Sequence, residues 1–153
     1  MTYNQLVSLL DRENFERRAL GRTDYPSDFP LKEVLLIARH CSGGVILGFS
    51  QFQNGSGTWK PWEIDNLEKN TVDDLRLPTP WNQLEAGILF AMRLPLMVFK
   101  EEGISGGVFD NGVTDVFTQK LPVGGFSKDE KVQVIASIQN WASLVRQHYR
   151  AWD

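Results

Sequence analysis

Two short apolar runs constrain this chain more than any other feature: Gly44-Val45-Ile46-Leu47-Gly48-Phe49-Ser50 and Leu94-Pro95-Leu96-Met97-Val98-Phe99. Neither alternates apolar with polar residues. Strands of that kind are covered on both faces, as in a parallel sheet clothed by helices. The flanking segments carry helical periodicity. Leu6, Val7, Leu9 and Leu10 mark residues 2–13, and Leu31, Val34, Leu35 and Ala38 mark residues 29–40, with Asp28 as cap and Pro30 in the first turn. Ser127-Lys128-Asp129-Glu130 is a capping-box sequence. It opens a final helix whose face includes Val134, Ile138, Trp141, Val145 and Trp152. Phe15–Leu20 is expected as a short strand, Thr114–Leu121 as an edge strand, and residues 53–78 as a long loop. Alternating strands and helices predict one α/β domain over residues 1–153. Its core would be a mostly parallel sheet of about four to five strands with helices on both faces, a three-layer sandwich.

The totals exclude several function classes. At 153 residues, 42% hydrophobic and 23% charged, the chain suits a single soluble domain with a sizeable core. A net charge of −3 argues against non-specific nucleic-acid binding. The longest nearly apolar stretch, Ala86–Phe99, contains Arg93 and is too short to cross a bilayer. Met1 leads straight into a helical pattern, so no signal peptide is expected. A single cysteine, Cys41, forms no internal disulfide and points to a reducing, cytoplasmic setting. With two separate histidines, His40 and His148, and that one cysteine, no metal site of ordinary zinc composition is expected.

The residues from Thr79 to Met92 hold the chemistry. Thr79 is a cap and Pro80 occupies the first helical position, where its missing N–H costs nothing. At about 100° per residue, Trp81, Leu84, Ile88, Ala91 and Met92 form one apolar stripe, and Glu85 projects within it. A carboxylate on the packed side of a helix is costly unless paired or solvated. Either it meets an arginine in a buried ion pair, or it stands simply half-exposed, or it does chemistry.

Trp81-Asn82-Gln83-Leu84-Glu85 places a tryptophan four residues before a glutamate, after the strand Val45–Ser50 and before Leu94–Phe99. Over about residues 30–100 this order resembles the NAD-cleaving branch of the TIR (Toll/interleukin-1 receptor) domain, whose W-x-x-x-E element supplies a catalytic glutamate. It is also similar to the nucleoside 2-deoxyribosyltransferases, where a glutamate opening the corresponding helix attacks the sugar. The resemblance implies a flavodoxin-like sandwich and action on an N-glycosidic bond. Glu85 would be the catalytic carboxylate, Trp81 would stack on the substrate, and Ser50 would stand at the strand end beside it. The loop Gly21–Asp28 would shape the entrance, Arg22 meeting a phosphate and Asp24 a ribose hydroxyl; the alternative for that loop is a solvated turn. NAD is the leading substrate and no other cofactor is implied. The partners expected are therefore a nucleotide or nucleoside, with neither nucleic acid nor membrane.

Two departures accompany the likeness. Both families open with a strand that here has no counterpart before residues 2–13, so the expectation is an N-terminally truncated fragment, a sheet completed otherwise, or a degenerate cleft. Arg93-Leu94-Pro95 also stands where the transferases have G-K-P. Glycines 103–107 would cradle phosphate or form a plain turn, and Trp59 and Trp62 would form a lid or anchor their loop. The alternative functions are a nucleotide-sensing module without turnover and a TIR-like protein-interaction module assembling as a homo-oligomer.

Overall fold

The structure is a computed structural model and describes residues 2–19, 29–58, 71–113, 116 and 118–151. In chain order these form α1 (Thr2–Asp11), α2 (Pro30–Arg39), β1 (Gly44–Gly48), β2 (Phe52–Thr58), β3 (Thr71–Leu77), α3 (Pro80–Ala91), β4 (Leu96–Lys100), a 3-10 turn (Gly107–Phe109), β5 (Thr118–Lys120) and α4 (Lys128–Arg150). The protein is mixed α/β. Strands β1, β4 and β5 make a parallel sheet in the order β1-β4-β5, while β2 and β3 pair antiparallel in a separate two-stranded sheet.

The two apolar runs become neighbours. Val45 stands opposite Met97 and Leu47 opposite Phe99. Because side chains alternate along a strand, the sheet feeds two cores. Val45, Leu47, Met97 and Phe99 meet Leu6 and Leu9 of α1 and Val134 and Ile138 of α4. Ile46, Leu96 and Val98 meet Ala86 of α3 together with Ile104, Val108 and Phe109. Helix α2 lies beside α3. β4, fully flanked, is buried from Leu96 to Phe99. Gly44 lets α3 come this close, since a Cβ there would run into Leu89.

Three expectations need correction. Residues 15–19 of the expected strand Phe15–Leu20 are irregular. Phe15 instead stands edge-on to Trp141, with the Arg146 guanidinium 5.0 Å from its ring centre. The expected long loop 53–78 contains most of the antiparallel pair β2–β3, tied across by Gln53 Nε2 donating to Asp74 Oδ1 at 2.6 Å, while Arg76 bonds Asp74 within β3 at 2.8 Å. The parallel sheet has three strands among the described residues, not four or five, and β5 is confined to Thr118–Lys120.

The capping box forms as expected. Glu130 N–H donates to Ser127 Oγ at 3.3 Å, and Ser127 N–H donates to Glu130 Oε2 at 2.8 Å. The Ser127 backbone bond holds the Glu130 carboxyl below its ordinary value. Ser127→Ala is expected to cost about 1 kcal/mol in urea unfolding, because it orphans a first-turn donor. Among the described residues no helix is long and apolar enough to cross a membrane.

Candidate functional site

Helix α3 runs antiparallel to β1 across the sheet face. At one end Asn82 Nδ2 donates to Leu47 O at 3.4 Å, and at the other Leu89 lies against Gly44. Glu85 is therefore held between these contacts, beside the middle of β1. It lines a hollow of about 410 Å³ whose wall includes a second charged residue, Arg18, together with Asn82 and Leu89 of α3, the β1 residues Gly44–Leu47, and Val34, Ile37 and Ala38 of α2. That volume falls within the roughly 300–1,000 Å³ of small-molecule sites.

Glu85 is half-buried in the hollow. No arginine, lysine or hydrogen-bond donor is bonded to its carboxylate among the described residues. Burial alone raises its pKa from the ordinary 4.5, with no opposing contribution from a charge or a hydrogen bond. A half-buried carboxylate with that environment, facing open space, costs stability and is a site candidate on physical grounds.

The expected apolar stripe of α3 is out of phase with the buried face. Ala86 is buried, Asn82, Gln83, Glu85 and Leu89 flank it, and Trp81 and Leu84 face outward at 42% and 45% exposed. The reason is composition: α3 has large apolar residues on both sides, and it meets the sheet through Ala86, the Asn82 amide and Leu89. Trp81 is not among the residues lining the hollow. Ser50 lies at the carboxyl end of β1, where its N–H donates to Glu101 Oε2 at 2.8 Å, and Glu101 N–H returns to Gly48 O at 2.9 Å. Ser50 does not line the hollow either, whereas its neighbours Phe49 and Gln51 do. Arg22, Asp24, Trp59 and Trp62 lie outside the described residues.

Asn82 is the residue that the sequence reading missed. It sits three positions before Glu85, on the same side of the helix, and that spacing was the available signal. Its Oδ1 accepts from Thr79 Oγ1 at 3.0 Å while its amide fixes β1, so it sets the depth at which Glu85 enters the hollow.

The glycine-rich loop is committed to the fold. Gln83 Nε2 donates to Gly106 O at 3.0 Å, Val108 N–H donates to Gln83 Oε1 at 3.0 Å, and Gly106 N–H donates to Asp110 Oδ1 at 2.8 Å. Gly107 has φ +59, and a Cβ there would collide with Gln83 Oε1. The N–H groups of Gly106 and Val108, which a phosphate would need, are already taken by side chains. Among the described residues no cluster of His, Cys, Asp and Glu could hold a metal ion. No family model matches this chain, and no curated protein and no solved structure matches it.

Proposed function

We propose that this protein processes a nucleotide by cleaving or transferring at an N-glycosidic bond, with NAD as the leading substrate and Glu85 as the catalytic carboxylate. One observation carries the proposal: the Glu85 carboxylate is partly desolvated, bonded to no described cation, and turned into a hollow beside the edge of β1. The W-x-x-x-E order and its likeness to NAD-cleaving TIR domains and deoxyribosyltransferases support it from the sequence side. In this reading the sheet is the core of a flavodoxin-like sandwich and the protein works in the cytoplasm, in keeping with its single cysteine.

The chemistry suits a lone carboxylate. As the bond between the ribose carbon and the pyridinium nitrogen breaks, its electron pair leaves with nicotinamide and cancels the ring's charge. Positive charge then gathers on the sugar carbon and ring oxygen. An ionised Glu85 stabilises that charge, or bonds to the carbon until an acceptor displaces it. Water as acceptor gives ADP-ribose and one proton; a nucleoside base as acceptor gives transfer. Partial exclusion of water strengthens the attraction. Asn82, one turn away, positions the helix rather than the substrate.

The test is nicotinamide release from NAD by the purified chain, followed by chromatography. Release in proportion to enzyme concentration is expected; none at high enzyme concentration would remove the proposal. A second reading, a protein-interaction module, is favoured by the outward Trp81 and Leu84 side chains. A discrete oligomer in light scattering, unaffected by nucleotide and lost on Trp81→Ala, would support that reading.

A further inference from the structure

A second hollow lies away from Glu85, between helix α4 and the corner that joins α3 to β4. Its volume is about 820 Å³, and it shares no described lining residue with the first. The floor is formed by Leu94, Leu96 and Met97, all buried. The lining also includes Phe90 and Leu144, large apolar side chains that stand 54% and 53% exposed. The helix and the corner are tied to each other, because Trp141 Nε1 of α4 donates to Pro95 O at 3.0 Å. A space of that size, mostly apolar and formed before any ligand arrives, is of the kind that takes small molecules.

The corner is built with strain. Arg93 N–H donates to Phe90 O at 2.9 Å and Leu94 N–H donates to Leu89 O at 3.0 Å, the paired bonds of a Schellman ending. Such an ending needs one left-handed residue, ordinarily glycine, and here Arg93 supplies it at φ +58. A side chain kept in that conformation is of the strained kind that clusters at ligand sites. Arg93 lines the hollow, and its guanidinium makes no ion pair or hydrogen bond among the described residues. Charge is distributed to match. The chain carries a net charge of −3, yet no aspartate or glutamate lines this hollow among the described residues. Apart from His148, the polar side chains of the described lining are neutral: Gln119, Ser137 and Asn140.

We propose that this hollow binds a monocarboxylate with an apolar body, its carboxylate paired to Arg93 and its body laid over Leu96 and Met97. The planar guanidinium fork matches the two oxygens of a carboxylate. One permanent cation answers one negative charge, and the apolar body covers side chains such as Phe90 and Leu144 that are otherwise left to water. A neutral apolar ligand would fill the same space and leave the arginine unpaired. The site is separate from Glu85 and stands or falls independently of any turnover there.

The test uses the full chain with decanoate and decanol, which share an apolar body and differ in charge. Binding is followed by NMR at the Asn140 side-chain amide and the Leu144 methyl groups, with Val34 in the Glu85 hollow as reference. Decanoate is expected to shift Asn140 and Leu144 saturably, to leave Val34 unmoved, and to bind at least about tenfold more tightly than decanol. Arg93→Gly should remove that advantage while raising the melting temperature, since glycine takes the left-handed turn without strain. Arg93→Gln keeps the strained backbone and drops the charge, so it should weaken decanoate equally without the rise in melting temperature. Both variants should bind decanol as before. No saturable shift at millimolar decanoate would overturn the proposal. So would equal binding of the two probes by the native chain, undiminished decanoate binding in both variants, or a shift of Val34 in place of Asn140 and Leu144. Movement of the same signals with protein concentration alone would also overturn it, since a second copy would then fill the space.

Discussion

Replacing Glu85 with glutamine is expected to raise the melting temperature at pH 7 while lowering nicotinamide release from NAD at least about 100-fold, the loss typical of removing an electrostatic group that acts on the transition state. The two effects share one cause. Burial pushes the Glu85 carboxyl above its ordinary 4.5. Between its unfolded and native pKa values the native state binds more protons, so stability falls as pH rises through that window and the full penalty persists above it. Glutamine keeps the shape and removes the charge, so the gain should be present at neutral pH, fade as pH falls through that window, and be gone below pH 4.5, where the carboxyl is protonated in both states. A carboxylate held in a structural ion pair would behave in the opposite way, with glutamine destabilising at pH 7. Thermal melts of the two proteins at neutral and acid pH, set beside their turnover, decide between these outcomes.

Phe99→Ala is expected to cost about 3–5 kcal/mol, because the site cannot collapse to fill the void. Phe99 is fully buried on the central strand β4, with Leu6, Leu9, Leu121 and Ile138 in the same core. Against a total stability of roughly 5–15 kcal/mol for a domain of this kind, that is enough to leave much of the protein unfolded near physiological temperature. In urea the midpoint should fall with an unchanged slope, the pattern of lost stability without a change in the surface exposed. Trp81→Ala in the same experiment should stay within about 0.5 kcal/mol, despite the larger side chain, because its ring faces outward.

The elements legible in the sequence were those whose periodicity and packing agree. Val45–Leu47 and Leu96–Phe99 read as doubly covered strands and are so, and Ser127 and Glu130 announced the start of α4. The β2–β3 pair was invisible because Gly55, Gly57, Asp73 and Asp74 have poor strand propensity, and because Gln53 ties to Asp74 across it by a polar bond rather than by apolar alternation. The phase of α3 was misread for a related physical reason. Hydrophobicity points to Trp81 and Leu84, while close approach to the sheet demands Ala86 and leaves Asn82 to bond Leu47 of β1 and Gln83 to bond Gly106 and Val108 of the glycine-rich loop. Glu85 itself was found from the cost of its position rather than from its neighbours. Trp81 stands one turn before Glu85 on α3, but spacing alone does not tell which of the two enters the hollow, and Trp81 does not line it.

The central claim, that the Glu85 carboxylate faces the cationic end of a bound nucleotide, is tested most directly by titrating its side-chain carboxyl carbon by NMR, with and without a non-hydrolysable NAD analogue. In the free protein the midpoint should lie above 4.5, and on binding the analogue it should move down, because a nearby positive charge favours the ionised form. A midpoint that does not move when the analogue is bound, or that moves up, would contradict the account.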